Sequence, residues 1–276
     1  MRMHYSSVSM LKYLTLLLGA FVALLPLVVV LFTSLKSRAE MARSTALTPP
    51  EDWLNFDNYK KAFVDGNMLV GFMNTVIILA ISIVGAILIG TMVAYILNRF
   101  SFFGNKVIMG AFLLATLIPA VTTQVATFQI INELGLFNTR ASAIVLFMGT
   151  DIISVYIFIQ FISQISQQLD ESAMLDGASY LKIFTRIILP LLKPAIATVF
   201  IVKGVNVYND FYIPFLYMPK TELQVVSTAL FKFKGPYGTQ WEIISAGIMI
   251  AILPTLIVFL ALQKYIYNGF TQGAVK

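Results

Sequence analysis

Six stretches of the chain are apolar over lengths that suit membrane-spanning helices, and polar residues gather in the gaps between them. The stretches cover 13–35, 68–98, 107–131, 141–165, 195–217 and 243–263. A helix needs about 20 mostly apolar residues to cross the hydrocarbon of a bilayer, so each stretch predicts one membrane span. The first follows Arg2 and Lys12, as a secretory leader would. It is longer than the roughly 7–15 apolar residues of a leader core and no A-x-A cleavage site follows it, so a retained span is expected. Two gaps are long. Lys36 to Asn67 holds Pro49-Pro50, Trp53 and ten charged residues, which predicts a folded surface loop with short helices. Gln167 to Pro194 holds helix formers rather than turn formers, which predicts helices lying outside the bilayer.

Inside the spans, the few small and polar residues carry the information. In the second, Ser82, Ala86, Gly90 and Ala94 recur every four residues and make a face on which helix backbones can approach closely. In the third, Thr116, Thr123 and Thr127 flank Pro119, which predicts a kinked, hydroxyl-bearing helix that borders a solute path or packs on its neighbours. Asp151 opens the long uncharged run of the fourth. In the fifth, continuous helical spacing puts Lys203, Asn206 and Asp210 on one face. Lys203 and Asp210 would lie about 10 Å apart along the axis, too far to pair. Such a stripe either bonds neighbouring helices or lines a hydrophilic passage, and Asn206, Tyr208, Asn209 and Asp210 are its candidate pathway residues.

Composition sharpens this outline by exclusion. Of 276 residues 58% are hydrophobic and only 12% charged, with a mean hydropathy of +0.84. Soluble domains carry about 25% charged residues, so a water-soluble single domain is excluded. There is no cysteine, and the one histidine, His4, lies in the N-terminal tail, which leaves no thiol, disulfide or zinc chemistry to expect. The formal charge of +6 is scattered between apolar runs, so nucleic acid is not its partner. Lys and Arg divide nine against nine between the two sides of a six-span layout and do not orient it, apart from a lean by Arg99 and Lys106 toward cytoplasmic termini.

The most informative polar segment is Glu171-Ser172-Ala173-Met174-Leu175-Asp176-Gly177-Ala178. Asp170 is placed to cap a short helix, Gly177 permits a sharp break after it, and the next helix must stop or kink near Pro190. The product is a compact knob at the membrane face with Met174 and Leu175 as apolar contacts. It serves to dock a partner or packs on its own bundle.

The run Glu171-Ser172-Ala173, Gly177, then Ile187, Leu189 and Pro190 resembles the EAA motif of permease subunits in bacterial ATP-binding-cassette importers, with Ser172 for the first alanine. Pro49-Pro50-Glu51-Asp52-Trp53, Asn74-Thr75, Leu134 to Thr139, Tyr208 to Phe211 and the Gly269 to Lys276 tail resemble the carbohydrate-importer class that contains the maltose permease. The resemblance implies an all-α, six-span type I importer permease, with residues 167–194 as a cytoplasmic coupling loop and both termini cytoplasmic in a bacterial cell membrane. It implies sugar import as half of a permease heterodimer, on two ATPase subunits that hold ATP and Mg, fed by an extracytoplasmic solute-binding protein. It gives Glu171 to Ala178 the ATPase contact and Gln272 to Lys276 a lesser one. No G-x-x-x-x-G-K-[ST] loop occurs, so the chain itself is expected to be no enzyme and to bind no cofactor. A secondary transporter or channel working without an ATPase is the rival reading.

Overall fold

The computed structural model describes the backbone of residues 2–149, 152–235 and 238–274, and the side chains of 10–119, 121–149, 152–235, 238–261 and 263. The expectations attached to His4, Asp151 and the side chains from Gln272 to Lys276 therefore lie outside the described residues. The chain divides into two compact units, residues 1–69 with 229–254 and residues 70–228 with 255–276.

In chain order the helices are α1 (Arg2–Leu35), α2 (Arg38–Arg43), α3 (Asp57–Val64), α4 (Met68–Arg99), α5 (Asn105–Thr116), α6 (Ala120–Glu133), α7 (Arg140–Met148), α8 (Ile152–Ser163), α9 (Gln168–Leu175) and α10 (Tyr180–Ile183). A π-helical turn (Phe184–Ile188) leads into α11 (Leu189–Leu191), followed by α12 (Lys193–Asn209), α13 (Tyr212–Tyr217), α14 (Val226–Ala229) and α15 (Trp241–Ala274). A two-stranded antiparallel ribbon, β1 (Lys234–Gly235) and β2 (Gly238–Thr239), precedes α15. Met10–Leu35, Met68–Arg99 and Trp241–Ala261 are each long and apolar enough to cross a membrane. Three bent pairs bring the number to six when each pair is one span: α5 with α6 at 106°, α7 with α8 at 42°, and Tyr180–Leu191 with α12 at 72°.

Two of the expected spans are broken, each near a proline, whereas Pro26 and Pro254 lie inside continuous helices. The third is not one kinked helix. The backbone is extended at Pro119 (φ −61°, ψ 129°), which separates α5 from α6 at a residue that has no N–H to give the helical ladder and disfavours a helical predecessor. The fifth stops at Asn209 instead of running to Tyr217. In a continuous helix the Pro214 ring would collide with the carbonyl four residues back, that of Asp210. Asp210 is extended instead (φ −68°, ψ 120°), and its freed carbonyl accepts a hydrogen bond from Ser227 Oγ at 2.7 Å.

In the first unit, the loop after α1 folds as a polar cap. Asn58 Nδ2 donates to the carbonyls of Ser34 (2.9 Å) and Lys36 (2.8 Å), which satisfies acceptors left open where α1 ends. Lys36 is fully buried and donates to Ser44 Oγ (3.0 Å) and the Thr45 carbonyl (2.7 Å). Ser37 caps α2 through the N–H of Glu40, and the carboxylate of Glu40 accepts from the N–H of Glu51.

In the second unit, α4 is the axis of the packing. Ser82, Ala86, Gly90 and Ala94 are all buried. A side chain at Gly90 would press on the Phe158 ring of α8, one at Gly85 on Met148 of α7, and one at Gly204 of α12 on Ile83. Where lipid removes the hydrophobic push between helices, close backbone approach of this kind supplies the contact. A main core of Tyr95, Phe158, Ile162, Phe184, Ile188, Leu192 and their neighbours surrounds the C-terminal half of α4, and a smaller one around Ile78, Phe147 and Val207 lies toward its N-terminal half.

Candidate functional site

The knob is built on α9, and its end is a complete Schellman motif. The N–H of Gly177 bonds the carbonyl of Met174 (2.9 Å) and that of Ala178 the carbonyl of Ala173 (2.9 Å). This turn requires a left-handed residue after the helix, and Gly177 has φ +79°. A Cβ on Gly177 would meet nothing within 4 Å, so within this chain the glycine is needed for its backbone conformation and not for closeness. Ser179 then caps α10 through the N–H of Lys182, and the chain returns through the π-helical turn toward α12. That turn sits just ahead of Pro190, which supplies no N–H to the helical ladder.

The two faces of α9 differ sharply. Ala173 and Ala178 pack on the main core, whereas Glu171, Ser172, Met174, Leu175, Asp176 and Gly177 are exposed. Leu175 is 90% exposed and Met174 40%, an apolar tip that the chain leaves bare. Single exposed leucines are ordinary on soluble surfaces, but here the exposure falls on a short helix with a fixed base.

That base is where the structure departs from the expected cap. The helix N-cap is Gln167, and Asp170 sits in the first turn, buried, rather than capping the helix. Its Oδ2 lies 2.7 Å from Arg99 Nε, with side-chain exposures of 9% and 6%. Tyr95 donates its hydroxyl to Oδ1 at 3.4 Å, and Arg99 donates to the Ile165 carbonyl at 2.7 Å. Arg99, Tyr95 and Asp170 were missed as site residues because their partnership crosses 75 residues of sequence, which no local spacing encodes. The one local hint is Tyr95 and Arg99 four apart on a helix face.

The expected pathway residues are distributed less simply. Asn206 and Asn209 are exposed near the end of α12, Asn209 donating to the Val205 carbonyl at 3.0 Å. Lys203 and Tyr208 are half-buried, and the Tyr208 side chain meets Thr255. Asp210 leaves the stripe altogether, because the helix has ended. Its Oδ1 accepts from the N–H of Ile213 at 2.8 Å, which caps the start of α13. In the third span, Thr116 and Thr127 spend their hydroxyls on carbonyls of their own helices.

The N-terminal end of α4 carries a second polar assembly. Asn74, fully buried, donates to the carbonyls of Glu222 (2.9 Å) and Gln224 (2.8 Å) and accepts from Arg140 Nε (2.7 Å). Thr75 Oγ1 accepts from the N–H of Val226 (3.0 Å) and donates to the Gly71 carbonyl (2.7 Å). Asn138 accepts from the N–H of Lys220 (3.2 Å), and its own N–H bonds the Tyr217 carbonyl (2.9 Å).

Residues 86–272 match the family described as binding-protein-dependent transport system inner membrane component. The chain is 33% identical over 267 residues to the melibiose/raffinose/stachyose import permease protein of Bacillus subtilis (strain 168), covering 94% of this chain and 95% of that one. It is 32% identical to a probable starch degradation products transport system permease protein of Thermoanaerobacterium thermosulfurigenes, covering 96% and 97%. The fold is similar to that of a chain in a bacterial ABC transporter involved in the import of the acidic polysaccharide alginate, with a TM-score of 0.81 at 21% identity, over 94% of this chain and 96% of that one.

Proposed function

The chain belongs to the binding-protein-dependent transport system inner membrane component family, a family of multi-pass membrane permeases, and from that premise we propose that it is one permease subunit of an ATP-driven sugar importer. Its cargo is an oligosaccharide, in keeping with the sugars named for its relatives. A second, homologous permease supplies the other half of the pathway. Two ATP-binding subunits, which hold ATP and Mg, supply the energy, and an extracytoplasmic solute-binding protein delivers the sugar.

One observation carries this reading: a short helix with a bare apolar tip, fixed on a buried polar base at the end of a long membrane-spanning helix. An apolar tip on a short, firmly based helix is suited to being covered by a partner. Placed in the cytoplasm, as the reading requires, the knob seats Glu171 to Ala178 in a groove of an ATPase subunit and puts both termini on the same side. On α12, Asn206 and Asn209 face the route, where amide groups can donate to and accept from sugar hydroxyls. Tyr208 and Asp210, both half-buried, complete the set of pathway residues.

Copurification followed by transport tests the reading. The tagged chain, expressed with its genomic neighbours, is expected to bring down an ATPase and a second permease. In liposomes with the solute-binding protein outside, it is expected to accumulate a labelled raffinose-type oligosaccharide only when ATP is enclosed. Uptake without ATP, or a chain that purifies alone, sinks the proposal.

A further inference from the structure

The Arg99–Asp170 pair is a poor adhesive in an expensive place. Two charges are taken out of water, and their Nε and Oδ2 atoms lie 2.7 Å apart, yet neither makes a hydrogen bond. A buried ion pair recovers its desolvation cost only with well-aligned hydrogen bonds, and well-packed apolar residues commonly hold as well or better. What such a pair supplies beyond adhesion is direction. An apolar contact tolerates sliding, whereas a charge pair fixes one register.

Its position gives that direction a use. Arg99 ends α4 and Asp170 lies in the first turn of α9, so each charge sits at the helix terminus whose dipole favours it. Arg99 also holds the Ile165 carbonyl just beyond α8, and its NH1 reaches Asn98 Oδ1 at 3.2 Å, so one guanidinium ties α4, α8 and α9 together. The returning arm of the knob is tied to the same helix end by a different chemistry. Tyr95 packs on Phe184 (ring centroids 5.4 Å apart) and on Phe100 (5.8 Å), and Phe100 on Tyr180 (5.1 Å). The bare tip at Leu175 lies about 7.5 Å along α9 from Asp170. A load applied at the tip has a short rigid helix to travel and one polar joint at its end.

We propose that Arg99 and Asp170 are positioning residues that transmit movement of the knob into α4 and α8. The inference rests on the importer reading and names the joint by which the docked knob acts. Tyr95, on the same joint, steadies the carboxylate through Oδ1.

The test replaces the joint with an apolar pair of similar bulk, Arg99→Met with Asp170→Leu, and reads three quantities in the reconstituted complex: subunits recovered on the tag, ATP hydrolysed, and sugar moved per ATP. The expected result is a complex recovered in normal yield that hydrolyses ATP but moves about tenfold less sugar for each ATP. Arg99→Lys keeps the charge and loses the planar fork, and is expected to fall between the two. Unchanged sugar per ATP in the double variant overturns the inference, and so does failure of that complex to assemble, which would make the pair structural only. A wild-type complex that moves no sugar with ATP defeats the importer reading before any variant is compared, and this inference with it.

Discussion

The two ends of α4 are held by opposite kinds of polar chemistry. At the C-terminal end a carboxylate and a guanidinium are buried together, in contact but without an aligned hydrogen bond. At the N-terminal end, about 37 Å away along the helix, the Asn74 amide uses both hydrogens on carbonyls and its oxygen on Arg140. The amide end is fully hydrogen-bonded and holds a distant chain segment, Glu222 to Gln224, in place. The charged end is costly to desolvate and incompletely bonded, and joins α4 to α9 and to the chain just beyond α8. A structure needs the first kind of contact wherever a loop must stay put. It tolerates the second where a contact must fix one register.

Breaking the charged end should cost the most. Asp170→Ala strands a buried guanidinium, and removing one partner of such a pair typically costs about 3–5 kcal/mol. The purified complex should melt at a clearly lower temperature in detergent, or assemble poorly. At the amide end, Asn74→Ala removes the donor to the carbonyls of Glu222, which water can reach, and of buried Gln224, so about 1–3 kcal/mol is expected from the one buried carbonyl. It should lower the melting temperature less than Asp170→Ala does, with the loss confined to the segment around Glu222 to Val226, which proteolysis can locate. If Asn74→Ala proves the more damaging, the assignment of the two ends is reversed.

Gly177 divides conformation from contact at the charged end. Its φ of +79° costs an ordinary residue about 1–2 kcal/mol, while asparagine tolerates that region. Gly177→Ala should therefore weaken uptake, Gly177→Leu should abolish it with membrane insertion intact, and Gly177→Asn separates the causes. Uptake retained in Gly177→Asn means that only the turn matters. Uptake lost there, with the knob still folded, means that the docking partner occupies the open space beside this residue. Normal uptake in Gly177→Leu sinks the docking role.

Sequence shows what is local and hides what needs a distant partner, which both ends of α4 have. The knob was legible because its elements are local: Gly177 breaks a short helix that begins a few residues earlier, and the motif and the geometry coincide. The small-residue face of α4 was legible because a four-residue period needs no partner to be seen, and Ser82, Ala86, Gly90 and Ala94 are all buried. Asp170 was misplaced as a cap because its partner lies on another helix. The polar stripe of the fifth span was overextended because the helix ends at Asn209, and a proline such as Pro214 is no sure stop signal in a chain where Pro26 and Pro254 lie inside continuous helices.

Asp210 therefore gives the smallest and most discriminating prediction, since it tests whether anything at the amide end of α4 acts on cargo. Its Oδ1 caps α13 through Ile213, and its carbonyl is held by Ser227. A side-chain cap is worth about 1 kcal/mol, and an asparagine oxygen accepts the same bond. If the residue is purely structural, Asp210→Asn should leave stability and sugar uptake unchanged, while Asp210→Ala lowers both slightly and together. If the charge meets the sugar, Asp210→Asn should alter the affinity for cargo with no change in melting temperature, because only the charge has been removed. The capping geometry favours the first outcome: a carboxylate engaged on the backbone has one oxygen already spent, whereas Asn206 stands exposed one turn earlier. Asn206→Ala should then change uptake more than Asp210→Asn does, and the reverse order would return Asp210 to the pathway.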